Sequence, residues 1–463
     1  MIVMKFGGTS VEDAASIERV AEIIRARIAL RPVVVVSAMG KTTRKLLQSA
    51  EASAAGNRNA RAEVLDDLKN AHLNEAIQLV TDSNSVFQII DDYFDELSTL
   101  LEGLAILGEV PPRGLDKILS YGELLSSAIV AAALAERGLA AQRMDSRQFI
   151  ITNDRYGAAS PIFEITDQKI VEILRPALDR NQVPVIQGFI GSTREGATTT
   201  LGFEGSDFTA AIVGAALDAA DIQIWKDVSG LMTADPALYS EARTVKVCSY
   251  SEAAELTFFG AKVLHPKAVH PAAQKNIPVH IFNSRQPQAT GTEIKAAAPS
   301  CSNLIKSIAY TRPVTLLQIQ SGVGAEGVRA SSASDFMRSI INALNRQRIV
   351  PLVMAVSATS VALAIGQVGE SAVRDLIEEI SRVASVERHP HKAIVSMVGE
   401  ELKTDPAFAS LAFRAIDSVK PQLILHGSSP IAINLVVAES DTESVIAALH
   451  RAFFAELDPQ VFV

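Results

Sequence analysis

Ile2-Val3-Met4-Lys5-Phe6-Gly7-Gly8-Thr9-Ser10 is the stretch on which the fold of this chain turns. A short apolar strand, Ile2 to Phe6, runs into two glycines and two hydroxyls, and a helical pattern follows from about Ala14 to Ile28. Glycines let backbone N–H groups approach phosphate oxygens, and the N-terminus of the next helix favours negative charge. Lys5, near the end of a buried strand, can reach a transferring phosphoryl group. A tight turn beside a surface lysine would give the same letters, so the motif needs support from elsewhere. Pro32-Val33-Val34-Val35-Val36-Ser37 supplies some. A continuous β-branched run suits a strand buried on both faces, and strand–helix–strand predicts a parallel sheet covered by helices.

Working outward, residues 43–118 are charged and mainly helical, an excursion from the sheet. Gly122-Glu123 leads a long Ala/Leu-rich helix ending near Gly138. Pro184 to Gly191 predicts another buried strand running into a glycine-rich loop. Ile222–Trp225 and Pro278–Phe282 are further strands. Ala296-Ala297-Ala298-Pro299-Ser300 is a linker. Beyond it come a strand at Val314–Gln320, a helix at Ser334–Arg346, strands at Ile349–Val356 and Ser360–Ile365, and a helix at Glu370–Arg382. The order βαββα then returns as Ala393–Val398, Pro406–Val419, Gln422–His426, Ile431–Val437 and Thr442–Phe454. The second copy follows the first by roughly 75 residues, which marks a repeated α+β unit and not a short solenoid motif.

Bulk composition narrows the class. The 463 residues exceed one ordinary core and predict two or three domains. Hydrophobic content of 48% with 5% aromatics suits an α/β protein with aliphatic cores. A net charge of -9 disfavours a general role on nucleic acid. Two cysteines, Cys248 and Cys301, form no disulfide framework and have no metal-ligand spacing. The N-terminus lacks the apolar run and cleavage site of a leader. No stretch approaches an uncharged membrane span of roughly 18 residues. The expectation is a cytoplasmic protein with no nucleic-acid or membrane partner.

Four more motifs carry chemistry. Ser37-Ala38-Met39-Gly40-Lys41-Thr42-Thr43 follows a buried strand. Its Gly-Lys-Thr ends like a P-loop, but the first glycine of that pattern would fall at Val35, so the match fails. The loop still offers hydroxyls and N–H groups to a carboxylate or phosphate. Gly188-Phe189-Ile190-Gly191, Gly196 to Gly202 and Gly205-Ser206-Asp207 read as an anion cradle or as a flexible surface loop. Trp225-Lys226-Asp227-Val228, and Phe259-Gly260-Ala261-Lys262-Val263-Leu264-His265-Pro266, place charges at element ends, where they suit nucleotide phosphates or solvated turns alike. His265, before Pro266, reads as a structural hydrogen-bonding residue.

Their conjunction and order are more specific than any one of them. Together with Gly122-Glu123-Leu124, these motifs resemble the aspartokinase family of the amino acid kinase superfamily. The resemblance covers the whole chain, because the repeated tail is similar to that family's paired ACT regulatory domains. Length and the lack of a dehydrogenase domain resemble the monofunctional form. The implied fold is an α/β amino acid kinase domain, a parallel-rich central sheet flanked by helices, over 1–295. Two α+β ACT-like domains follow, at 313–385 and 386–463, with interdigitation left open.

The implied reaction is transfer of the γ-phosphoryl of ATP to the side-chain carboxylate of aspartate, with Mg²⁺ travelling with ATP and no all-protein metal site. By the resemblance, Lys5 and Asp207 are catalytic. Ser37, Thr42, Glu123, Phe203 and Ser206 hold the amino acid, with Glu123 pairing its ammonium. Gly7, Gly8, Thr9, Lys226, Asp227, Lys262 and Val263 hold ATP. A homodimer joined through the tail and an amino-acid effector at the ACT pair are also implied.

The chain departs from the family in places. Phe203 stands where the family has an arginine that clamps a carboxylate, and Glu204 adds negative charge beside it. Met232 and Ala237 stand where a tyrosine and an arginine are common. Pro351 falls where lysine-sensitive relatives carry an acidic residue, with Ser357 and Thr359 as replacement hydroxyls, so lysine feedback is expected to be weak or to use an altered pocket. Another amino-acid acceptor, or a non-catalytic amino-acid sensor, stays open at this stage.

Overall fold

A computed structural model of the protein describes all residues except 82–83, 203, 262–263, 265, 300, 323–331, 401 and 403–405. Phe203, Lys262 and Val263 therefore lie outside the described residues. The chain divides into two compact units. The first comprises Met1–Leu231, Lys246–Ala253 and Val263–Ala298; the second comprises Met232–Val245, Ala254–Lys262 and Pro299–Val463.

The strands of the first unit are β1 (Ile2–Phe6), β2 (Pro32–Val36), β3 (Ala141–Met144), β4 (Val183–Gln187), β5 (Ile190–Ser192), β6 (Thr198–Thr200), β7 (Asp221–Lys226), β8 (Val247–Ser249), β9 (Val279–Asn283) and β10 (Thr292–Lys295). Eight of them form one sheet in the order β3-β4-β2-β1-β7-β9-β10-β8. Every described neighbour pair is parallel except β9–β10. The chain leaves β1 to β2 on one side and reaches β7 on the other. In such sheets the usual ligand position lies beyond the carboxyl ends of the strands at this point.

Register is fixed by aromatics. Phe6 pairs with Trp225, and Trp225 with Phe282, across β1, β7 and β9. Their rings follow one another at 6.0 and 4.8 Å. Side chains alternate between faces along a strand, so Lys5 and Lys226 share the opposite face.

Helices α1 (Ala14–Arg25), α2 (Thr42–Ala54), α3 (Arg58–Leu79), α4 (Asn84–Leu107), α5 (Pro112–Glu136), α6 (Phe163–Asp179), α7 (Gly205–Ala216), α8 (Tyr250–Phe258) and α9 (Pro266–Gln274) complete the order, with α8 belonging to the first unit only as far as Ala253. Asp13 caps α1 by accepting from Ser16 N, and α1 ends at Arg25, three residues short of the expected Ile28. The helical excursion is α2 to α4.

Two expectations need correction. Gly122 does not lead a helix. α5 starts ten residues earlier, at Pro112, with proline pre-set for a first helical position. Gly122 sits mid-helix because a Cβ there would lie 2.8 Å from Ala38 Cβ. The helix is long and apolar enough to cross a membrane, yet 83% of its most apolar window is buried, as befits a core helix. The glycine-rich 188–202 stretch is likewise not an open loop. Ile190–Ser192 and Thr198–Thr200 pair antiparallel as β5 and β6, since three consecutive threonines favour strand.

In the second unit, β11 (Ser307–Ser321), β12 (Val353–Val356), β13 (Ser360–Ile365), β14 (Ala384–Val398), β15 (Leu423–Leu425) and β16 (Ala432–Ala438) form one antiparallel sheet in the order β12-β13-β11-β14-β16-β15. Helices α10 (Ala333–Arg346), α11 (Glu370–Ser381), α12 (Pro406–Ala415) and α13 (Thr442–Phe453) accompany it. Ser307–Thr311 of β11 pairs with Ile394–Val398, while Thr315–Gln320 pairs with β13. Each long central strand thus serves both repeats, and β14 runs across the division drawn at 385/386. Leu317, Phe336, Ile340, Leu363 and Leu376 fill one core of this unit.

Candidate active site

Lys5 is the fourth residue of β1 and lies at its carboxyl end; Lys226 ends β7 beside it. Asp207, in the first turn of α7, takes both. Its Oδ1 lies 2.6 Å from Lys5 Nζ and its Oδ2 2.9 Å from Lys226 Nζ. Lys5 and Asp207 are buried, and Lys226 nearly so. Burial would raise the Asp207 carboxyl, but the two ammonium groups together outweigh it and hold it below the usual range. Burial pushes the Lys5 ammonium below its ordinary value against the pull of Asp207. For Lys226 burial also works downward, but Asp207 and Glu204 prevail and raise it. The array is fixed before any ligand arrives: two cations held by one carboxylate where strand ends meet a helix N-terminus.

Backbone approach explains the glycines. A Cβ on Gly8 would lie 2.9 Å from Ala38 O, and Gly40 N donates to Gly8 O at 3.0 Å. The 8–10 turn and the 37–43 loop therefore touch directly. Ser37 N donates to Phe6 O at 3.2 Å. Gly7 N donates to Trp225 O at 2.9 Å, and a Cβ on Gly7 would come within 3.7 Å of Lys5 Nζ. Gly188, at the end of β4, lets Ser206 of α7 approach. A Cβ on Gly188 would lie 2.5 Å from Ser206 Cβ.

Glu123 closes the inner wall. Its Oε1 accepts from Ala38 N at 3.1 Å, whereas Oε2 is buried with no hydrogen-bond partner. Burial pushes the carboxyl up to about 8, with Lys5 opposing. A buried carboxylate with one oxygen unused fits a cationic ligand group. Gly122 packs against Thr42 on the same face, although the Thr42 hydroxyl donates to Met39 O at 2.7 Å.

The structure thus brings together Lys5, Gly7, Gly8, Ser37, Thr42, Glu123, Ser206, Asp207 and Lys226. Thr9 is half-buried, and Asp227 is exposed, close enough to raise Lys226. Met232 and Ala237 belong to the second unit.

The sequence reading missed Asp116. It is fully buried and accepts from Thr200 N and Oγ1, both at 2.8 Å, and from Gly157 N at 3.0 Å. It pins β6 just ahead of the turn into α7. Its one legible signal is position: seven residues before Glu123, two helical turns along the same face. Ser10, part of the opening motif but given no role there, has Oγ 2.8 Å from Ser284 Oγ, tying the 8–10 turn to the segment after β9.

A parallel-rich sheet with a Lys–Asp–Lys array at its switch point and a repeated α+β tail defines a class, the phosphoryl-transferring kinases of small carboxylic or amino acids. The comparisons agree. Residues 1–283 match the amino acid kinase family, and residues 395–453 match an ACT domain. Aspartokinase 2 of Arabidopsis thaliana chloroplasts is 35% identical over 482 residues, spanning 99% of this chain and 85% of that protein. Lysine-sensitive aspartokinase 3 of Escherichia coli (strain K12) is 32% identical over 462 residues, spanning 98% and 99%. The crystal structure of E. coli aspartokinase III with aspartate and ADP superposes with a TM-score of 0.89 at 32% identity, covering 98% and 100%. That enzyme with lysine and aspartate gives 0.80 at 31%, covering 98% and 99%. The chain belongs to the amino acid kinase family and, within it, to the aspartokinases.

Proposed function

We propose that this protein phosphorylates the side-chain carboxylate of aspartate with ATP, the entry step to the aspartate-derived amino acids lysine, threonine and methionine. The observation that carries this reading is that Glu123, with its unused Oε2, lies within electrostatic reach of Lys5 in the Lys5–Asp207–Lys226 array. Glu123 receives the substrate ammonium. The acceptor needs no base, because a carboxylate with an ordinary pKa of about 3.9 is already ionised at neutral pH. The remaining work is alignment of two anions and neutralisation of charge in the transition state. Lys5 and Lys226 supply that charge, and Asp207 holds both ammonium groups in place. Backbone N–H groups at Gly8 and Ser206 add donors, whereas those of Gly7, Gly205 and Asp207 are already given to Trp225, Gly202 and Glu204 carbonyls.

Among the described residues no group of three His, Cys, Asp or Glu side chains could hold a metal. Mg²⁺ would enter as a companion of the ATP phosphates, with phosphate and water as most of its ligands. When bound it neutralises phosphate charge.

The test is hydroxylamine trapping of the acyl phosphate with Mg-ATP and a panel of amino acids, in wild type and Lys5→Met. Trapped product is expected with aspartate, and Lys5→Met is expected to lose at least about two orders of magnitude in turnover. Product with a different amino acid would move the acceptor, an outcome for which Phe203 gives a reason. No product with any would leave a sensor.

The finer proposals rest on the second unit and on composition. A homodimer through the tail is supported by the two edge strands β12 and β15 and by exposed Val350, Met354 and Val356 beside the first. A monomer by light scattering at micromolar concentration would refute it. An amino-acid effector is supported by the ACT domain and by the lysine complex of the E. coli relative. A cytoplasmic location is supported by having only two cysteines in 463 residues, and cell fractionation tests it.

A further inference from the structure

Glu204 has no part in the reaction just described, yet its setting is unusual. It immediately precedes α7 with φ of 53°, the left-handed region in which a side chain is strained. Its carboxylate is not turned out to water. The side chain is 21% exposed, and Oε1 lies 3.8 Å from Lys226 Nζ. That contact is looser than the 2.9 Å one between Lys226 and Asp207.

Two ammonium groups and two carboxylates thus share the site, and their formal charges cancel. Phosphate oxygens that seek Lys226 must compete for it, and Glu204 is the weaker of its two holders. We propose that Glu204 is a displaceable counter-ion. It steadies Lys226 while the site is empty, yields it when nucleotide phosphate arrives, and so sets nucleotide affinity. Glu204 is a positioning residue in this scheme, acting on substrate through Lys226. The inference rests on the nucleotide-binding reading above.

A second consequence follows from the charges around it. Glu204 faces Lys226 from β7, Asp207 from α7 and Lys5 from β1, with Asp227 next to Lys226. Burial already raises its pKa, with Lys226 opposing. When phosphate takes Lys226, the carboxylate exchanges a cationic neighbour for an anionic one. Its proton affinity rises, and nucleotide binding takes up a proton.

ADP titrated calorimetrically into wild type, Glu204→Gln and Glu204→Gly, with and without Mg²⁺, tests both consequences. Running each titration in two buffers of different ionisation enthalpy reports the proton. Glycine accepts positive φ without strain, so Glu204→Gly keeps the fold, and a thermal midpoint at or above that of wild type checks this. Removal of one charge next to Lys226 is expected to tighten ADP at least about threefold in both variants. The proton uptake of wild type is expected to disappear in both. An unchanged or weakened affinity in both overturns the inference. Tightening in the glycine variant alone would trace to backbone strain and overturns it too. Failure of wild type to bind ADP at all would sink the nucleotide site itself, an outcome distinct from the other two.

Discussion

Glu123 is a carboxylate placed where its charge is favourable only beside a bound cation. Buried to 4% exposure and pushed up to about 8, it is largely protonated in the empty site at neutral pH. Its folded pKa lies above the unfolded one. Its stabilising contribution is therefore complete below the ordinary glutamate range near pH 4.5, and is lost as pH climbs toward 8. Binding of an amino acid reverses the preference, because the ammonium group needs the ionised form, so aspartate binding should release a proton. The dissociation constant for aspartate is expected to fall several-fold per unit from pH 6 to 8 and then to flatten. Calorimetry across that range is the check, with Glu123→Gln as control. The variant should bind weakly with little pH dependence, and a flat wild-type profile would remove Glu123 from the ammonium site. At this scale the sequence was informative for Lys5 and Asp207, charged residues close to glycines at a strand end and a helix start, while Glu123 and Lys226 were placed by the family resemblance. Asp116 was not visible, since its partners lie 41 and 84 positions away.

Elements bring these residues to one another by close backbone approach, and glycine is the tool. Gly122 was legible as part of a motif but misread as a helix start. Helix periodicity across Pro112 to Glu136 is continuous, and the need for a missing Cβ there arises only from Ala38, far away in sequence. Gly188 makes the same point and permits a test. Gly188→Ala puts a methyl group 2.5 Å from Ser206 Cβ and 2.8 Å from its Cα, so the first turn of α7 must move. Overpacking of this kind costs about 1–3 kcal/mol. The shift is expected to show as a lower thermal midpoint and, in kinetics, as a fall in kcat larger than stability explains, because Asp207 moves with the turn and carries both lysines. Wild-type kcat in a folded Gly188→Ala variant would detach α7 from the chemistry. The β5–β6 hairpin was read as loop for a related reason. Glycines at 188, 191, 196 and 202 dominate the local pattern, while the pairing that orders Thr198–Thr200 comes from Ile190–Ser192 and from Asp116.

For the molecule as a whole, the repeat in the tail was legible because two βαββα patterns recur in order, yet their sharing of β11 and β14 was not. A strand long enough to serve two repeats differs from two strands only in its partners. The same tail carries the last prediction, that lysine inhibits weakly. Pro351 stands where lysine-sensitive relatives are expected to carry an acid, and it offers neither carboxylate nor N–H. The structure narrows the compensation available. Ser357 Oγ lies 2.7 Å from Ser360 Oγ and accepts from Ser360 N at 3.0 Å, so this hydroxyl is already committed to its own turn. Thr359 is exposed. A lysine ammonium docked there would give up water without a charge-assisted replacement. Activity and thermal midpoint titrated separately with lysine, threonine and methionine decide the matter. Lysine is expected to act only at millimolar concentration, and strong inhibition at micromolar lysine would show that another carboxylate reads the ammonium. A response to threonine or methionine instead would keep the ACT pair as a sensor with a different ligand, and Pro351→Asp should then move the response toward lysine if the position is the discriminating one.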